Sequence, residues 1–258
     1  MDRCPPELVA FAHRLADASG EVIRRYFRRP FDIDYKRDQS PVTEADRETE
    51  RAIRDLIAAE HPGHGVIGEE HAPLRPDAEF VWIIDPIDGT RSFIAGAPVF
   101  GTLIALTRGG VPVLGIIDQP ITGERWLGVD GAPTTFNGKP VRTRTCAELS
   151  PALLCTSSPD YYEGGDRAAF ERLRRAVEWA HYGTDCYGFG LLASGYLDIG
   201  IEPGMGVHDY FALVPVIENA GGMITDWRGA ALTLDSDGRV LAAGDPAAHA
   251  QALALLAG

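Results

Sequence analysis

A chain of 258 residues, 45% hydrophobic and 24% charged, is too apolar to remain disordered and long enough to bury a sizeable core, in one unit or two closely packed halves. Its 37 acidic and 24 basic side chains leave a net charge of −13, a field that repels nucleic acid and anionic lipid; a small anion fits only where something local, such as a divalent cation, reverses that field. No run approaches the ~20 apolar residues that span a bilayer, no basic start leads into an apolar stretch, and Cys4, Cys146, Cys155 and Cys186 form no C-x-x-C pair, so a reducing, cytoplasmic setting is expected.

Leu8, Phe11, Ala12, Leu15, Val22 and Tyr26 recur near helical spacing and predict an amphipathic first helix ending before Pro30. Residues 30–42, with Lys36, Asp38, Ser40 and Pro41, read as a polar loop. Thr43 with Asp46 three places later marks the start of a second helix, which carries Ile53, Leu56 and Ile57 on one face and stops near Pro62-Gly63. The apolar runs 65–68 and 80–84 are too short for helices and read as strands, each ending in acid. Gly109-Gly110 between the runs 99–107 and 111–117 predicts a hairpin, and Asp130-Gly131 and Asn137-Gly138 mark further turns. The half 1–147 thus joins two helices to a largely antiparallel sheet. In the half 148–258, strands at 152–156 and 197–201 alternate with helices at 166–179 and 187–194. A helix over 209–220, strands at 223–225 and 240–243 and a last helix from Pro246 complete a layered α/β pattern, with a seam near 145–150 and no internal repeat.

Asp85 and Asp88 emerge three residues apart where a buried strand meets the surface. With a backbone carbonyl such as that of Ile87 they suit a hard cation; the plainer alternative for the segment alone is a proline-containing Asp-Gly turn. Glu69-Glu70 is either a solvated turn or part of the same cluster, and adjacent acids beside a third and fourth carboxylate repel unless a cation lies among them. Gly89-Thr90-Arg91-Ser92 can open a short helix whose free N–H groups suit a phosphate. Asp209, ahead of Phe211, Ala212, Leu213, Val216 and Ile217, reads as a helix N-cap or as a fourth acid of the cluster. With no G-x-S-x-G elbow and scattered histidines, a serine, cysteine or histidine nucleophile finds little support.

Four ordered motifs carry a resemblance over almost the whole chain: Val42-Thr43-Glu44-Ala45-Asp46, Gly68-Glu69-Glu70, Trp82-Ile83-Ile84-Asp85-Pro86-Ile87-Asp88-Gly89-Thr90, and Asp209 followed by Ala220-Gly221-Gly222. Together they resemble the inositol monophosphatase family of magnesium-dependent phosphatases. The resemblance implies the α/β/α/β/α sandwich of the sugar phosphatases, a homodimer, and two or three Mg2+ per site. Glu69, Asp85 and the Ile87 carbonyl would hold one ion and Asp85, Asp88 and Asp209 another, with Glu69 also supporting a third. It further implies that Asp88 and the N–H groups of Gly89 and Thr90 receive the phosphate, and that catalysis falls to Asp46, Glu69 and Thr90, with Asp46 and the Thr90 hydroxyl orienting the attacking water. Lys36 matches a lysine on the family's mobile loop. A metal-held water attacking in line needs no phosphoenzyme.

Asp88-Gly89-Thr90-Arg91-Ser92-Phe93-Ile94, Gly96-Ala97-Pro98, residues 100–106, Gln119-Pro120, Glu124-Arg125-Trp126, and the segments from Thr184 to Gly188 and from Gly190 to Ala193 are similar to the histidinol-phosphate phosphatase branch. Arg91 replaces a small polar residue of inositol-type members. The branch implies a small phosphomonoester substrate, histidinol phosphate; the alternatives are an inositol monophosphatase, a broader sugar or nucleotide phosphatase, and a non-catalytic metal-binding protein. An ammonium and an imidazole call for acids outside the metal set, and Asp185 and Glu202 are the candidates, beside Arg91 and Asp209. Each has a plainer reading: Asp185 as a helix N-cap, Glu202 as a strand-end charge, Arg91 as the partner of a structural carboxylate. Residues 203–208 depart from the branch's pattern, and His208 reads as a rim or packing residue rather than a ligand.

Overall fold

The computed structural model describes residues 4–36 and 40–258, so Asp38 lies outside the described residues. Helices α1 (Pro6–Tyr26) and α2 (Glu44–Glu60) flank a short antiparallel hairpin of β1 (Ile33–Tyr35) and β2 (Pro41–Thr43), where a plain loop was expected. A seven-stranded sheet then runs in chain order: β3 (Gly65–Gly68), β4 (Phe80–Asp88), β5 (Gly101–Arg108), β6 (Val111–Gln119), β7 (Glu124–Val129), β8 (Ala132–Phe136) and β9 (Lys139–Pro140). Only β3 and β4 are parallel, and the short helix α3 (Thr90–Ala95) follows β4.

The rest of the chain supplies β10 (Leu153–Thr156), α4 (Gly164–Ala176), β11 (Trp179–Tyr182), α5 (Asp185–Ala193), β12 (Ile199–Glu202), α6 (Val207–Tyr210), α7 (Leu213–Glu218), β13 (Met223–Asp226), β14 (Val240–Ala243) and α8 (Pro246–Ala257). Its five-stranded sheet has the order β11-β10-β12-β14-β13, with β14 antiparallel to both neighbours.

Period-two burial explains the layering, because successive side chains of a strand face opposite ways. On β4 and β5, Trp82, Ile84, Ile104 and Leu106 pack with Phe11, Leu15, Ile53 and Ile57 of α1 and α2, while Val81, Ile83, Leu103 and Ala105 face Phe189, Leu192, Leu213 and Val216 of α5 and α7. On β14, Val240 and Ala242 join that middle layer, and Leu241 and Ala243 turn outward to Phe170, Leu173, Ala248 and Ala252 of α4 and α8. Strands buried on both faces read as continuous apolar runs, and the result is an α/β/α/β/α sandwich. Helix α7 reaches the first sheet closely because Gly115 and Gly128 lie against the backbone carbonyls of Ala212 and Pro215, where a Cβ would collide.

Two helices differ from expectation. The stretch 209–220 divides into α6 and α7. Pro215 has no N–H to give an unbroken helix and sits instead in the first turn of α7. The stretch 166–179 stops at Ala176; Val177 is extended and Trp179 begins β11, paired in parallel with β10, so strand pairing wins over helical continuation. Among the described residues no helix is long and apolar enough to cross a membrane.

Candidate active site

Strand register brings the first acids together. Gly68 pairs with Ile84, so Glu69 leaves β3 beside Asp85 on the parallel neighbour. Asp85 and Asp88 are three residues apart and would face opposite sides of a regular strand. Between them the register with β5 shifts, Asp85 pairing with Leu103 but Asp88 with Gly101, and this bulge at Pro86-Ile87 returns both carboxylates to one side. Asp85 Oδ1 accepts from the Ile87 N–H at 2.9 Å, and Asp88 Oδ2 accepts from the Cys186 N–H at the start of α5 at 2.7 Å.

Asp209 is the third residue of α6 and not its N-cap; its Oδ2 accepts from the Gly206 N–H at 2.6 Å. Asp85, Asp88 and Asp209 each present a carboxylate oxygen within 4.8 Å of the others, a group that could hold a metal ion; Glu69, Asp85 and His208 form a second such group. Burial pushes the carboxyls of Asp85 and Asp88 well above the usual carboxylate range, and the neighbouring acids push them further: Glu69, Asp209 and Asp88 act on Asp85, Asp209 and Asp185 on Asp88. Among the described residues Lys36 pairs with Glu69 alone of these acids, so the crowded anionic oxygens of Asp85, Asp88 and Asp209 fit a hard divalent cation.

Around this cluster, the Lys36 ammonium reaches Glu69 Oε1 at 2.7 Å and Glu70 Oε1 at 2.6 Å. Burial alone would lower its pKa, but the two carboxylates hold it above the ordinary value. Burial raises Glu70 to about 7. Sequence reasoning missed Glu50, fully buried on α2, whose Oε2 accepts from the Glu70 N–H at 2.7 Å while Oε1 accepts from Arg54 at 2.6 Å; Gly68 lies directly against this carboxylate. The available signal was an acid three residues before Ile53 and seven before Ile57, on the apolar face of the helix.

Asp46 is buried at the start of α2 in a capping box: its Oδ2 accepts from the Thr43 N–H at 2.8 Å and the Thr43 hydroxyl at 2.6 Å. Its Oδ1 is left facing the Thr90 hydroxyl at 3.3 Å, which also lies 3.2 Å from the Ile87 carbonyl. Burial raises the Asp46 pKa. Gly89 has φ 85°, and a Cβ there would come within 2.6 Å of Asp185 Oδ2, so both conformation and contact require glycine.

A cavity of about 560 Å3 opens over these groups, with Asp88, Thr90, Arg91, Asp185, Glu202 and Asp209 in its wall. Asp185, the candidate substrate acid whose plainer reading was a helix N-cap, is the first residue of α5 and not its cap, at φ 43°, and accepts from the Ser92 hydroxyl at 2.5 Å. Glu202 ends β12 buried, accepting from the Ser157 N–H at 2.6 Å and hydroxyl at 2.8 Å; burial pushes it up to about 8. Arg91 donates to the Tyr161 hydroxyl at 2.9 Å and lies over that ring, and its charge also acts on Asp185. His208, read as a rim residue, has Nε2 3.3 Å from Asp209 Oδ1 and 3.9 Å from Glu69 Oε1, inside the acidic cluster.

These raised pKa values set a pH dependence. A carboxyl whose folded pKa lies above its unfolded value leaves the native state holding more protons, so stability declines as pH rises between the two values. For Glu70 and Glu202 that window runs from ordinary carboxylate pH to about 7 and about 8, and Asp85 and Asp88 act in the same direction. Thermal melts of chelator-stripped protein should therefore fall from pH 5 to pH 8, and added Mg2+ should restore most at the alkaline end; a flat profile insensitive to Mg2+ would contradict this electrostatic picture.

The profile of the inositol monophosphatase family matches residues 5–257. The chain is 49% identical over 253 residues to the chloroplastic bifunctional phosphatase IMPL2 of Arabidopsis thaliana, covering 95% of this chain and 73% of that protein. It is 38% identical over 233 residues to a histidinol-phosphatase of Chlorobaculum parvum, covering 90% of each. A solved inositol monophosphatase from Zymomonas mobilis superposes with a TM-score of 0.91 at 46% identity, over 98% of both chains.

Proposed function

The chain belongs to the inositol monophosphatase family of phosphatases, and from that footing we propose that it is a magnesium-dependent phosphomonoesterase hydrolysing histidinol phosphate to histidinol and phosphate. Glu69, Asp85, Asp88, Asp209 and the Ile87 carbonyl would hold two or three Mg2+, which when bound supply Lewis acidity that makes water a better nucleophile and offsets charge on the phosphate and leaving oxygens. The chain's own residues position the reactants. The cap on α2 occupies Asp46 Oδ2 and leaves Oδ1 beside the Thr90 hydroxyl. With its single proton directed at Asp46, that hydroxyl offers lone pairs to the attacking water, and Asp46, made more basic by burial, is where the water's proton can go. Gly89 and Thr90 line the cavity, and their N–H groups would receive the phosphate.

The choice of substrate rests on one observation: two carboxylates outside the metal set, Asp185 and Glu202, are largely buried in the cavity wall. Burial disfavours both anions and Arg91 offsets this at Asp185 only, so an ammonium or imidazolium supplies a counter-charge where a neutral polyol does not. The relative named as a histidinol-phosphatase supports this reading, and the solved relative named as an inositol monophosphatase supports the alternative. The homodimer implied by the family resemblance and the cytoplasmic setting expected from the cysteine spacing belong to the same proposal.

Steady-state comparison of the two substrates tests it. kcat/KM for histidinol phosphate should exceed that for inositol 1-phosphate, and Asp185→Asn should lower the former about tenfold to a hundredfold, the cost of one charge-assisted contact, with a smaller effect on the latter. A wild-type preference for inositol 1-phosphate would overturn the substrate assignment.

A further inference from the structure

Outside the all-oxygen ligand set, the His208 imidazole also faces the acidic cluster. We propose that His208 is a metal ligand, through Nε2, on the Glu69–Asp85 side of the site; this rests on the reading of that cluster as a metal centre. The donor atoms of Glu69, Asp85 and His208 lie within 4.8 Å of one another, and His208 Nε2 is 3.9 Å from Glu69 Oε1 and 3.3 Å from Asp209 Oδ1. Around an octahedral ion with ligands at roughly 2.1 Å, adjacent donors are about 3.0 Å apart and opposite donors about 4.2 Å, so the 3.9 Å between His208 Nε2 and Glu69 Oε1 fits one coordination sphere, and Asp85 completes it with a small adjustment.

The backbone before the ring is shaped to keep it there. A Cβ on Gly206 would come within 2.5 Å of His208 Cε1 and 2.8 Å of Nε2, so the ring packs on a position that only glycine leaves clear. The same glycine donates its N–H to Asp209 Oδ2 at 2.6 Å. One residue therefore fixes a carboxylate and gives room to the imidazole beside it. An imidazole among carboxylates shifts preference from Mg2+ toward borderline transition ions such as Zn2+.

Pulsed EPR of the full-length protein loaded with Mn2+ reads the ligand directly. Wild type should show 14N coupling of a directly bound imidazole, which His208→Gln removes and Gly206→Ala, keeping the histidine but displacing its ring, weakens or removes. In competition titrations, H208Q should lose about ten- to a hundredfold in Zn2+ affinity and distinctly less in Mg2+ affinity. Stoichiometric Mn2+ binding with no nitrogen coupling in wild type overturns the ligand assignment while leaving the metal centre intact. Failure to bind Mn2+ at all overturns both.

Discussion

Asp88→Asn should lower kcat about a thousandfold or more, roughly 4 kcal/mol of transition-state stabilisation, while the metal-free variant melts higher than metal-free wild type. The two effects have one cause. The Asp88 carboxylate is held against Asp209 and Asp185, and burial and those neighbours raise its pKa well above the usual range. Removing the charge relieves repulsion when no cation is present and removes a ligand when one is. Asparagine keeps an oxygen that can accept the Cys186 N–H, so the link between the bulge of β4 and the start of α5 survives. A variant that loses activity only because it unfolds would melt lower, and near-wild-type turnover would reject Asp88 as a ligand.

Asp46→Asn should reduce kcat about a hundredfold to a thousandfold with KM little changed. At this position an amide reverses the proton order. Two donors, the Thr43 N–H and hydroxyl, claim one oxygen of the side chain, so the amide NH2 is forced toward Thr90 Oγ1. There the hydroxyl must accept instead of donate, its proton points elsewhere, and the base is gone. The helix cap persists, since the amide oxygen still accepts from the Thr43 N–H and hydroxyl. Because Asp46 is outside the metal-holding groups, Mg2+ affinity should stay near wild type, which separates this variant from Asp88→Asn. An equal loss of metal binding in both would place Asp46 in a different role.

The parts of the site legible in the sequence were those carried by local pattern. Short apolar runs ending in acid placed Glu69 just past β3, whereas the strand expected to stop at residue 84 continues to Asp88 and holds Asp85 inside it; Thr43 with Asp46 marked the start of α2. The twin glycines 109–110 gave the β5–β6 turn. Three-residue spacing of Asp85 and Asp88 was visible, but the bulge that makes them face one way depends on pairing with β5, which spacing does not encode. Asp209 looked as much like a helix cap as a fourth acid, since its approach to β4 is set by packing of distant segments. The same dependence hid Glu50, Cys186 and Ser157, which orient other groups through contacts far along the chain. His208 was placed on the rim because oxygen donors already sufficed, and only the fold of Gly206 against its ring brings it among them.

Everything in the mechanism depends on crowded carboxylates that take up divalent cations and so enable hydrolysis of a phosphomonoester. Phosphate release by chelator-stripped protein, titrated with Mg2+ on histidinol phosphate and inositol 1-phosphate in parallel, measures this directly. Activity should be absent in the stripped protein and rise saturably with Mg2+ on at least one of the two esters; turnover that persists undiminished in chelator would contradict the account.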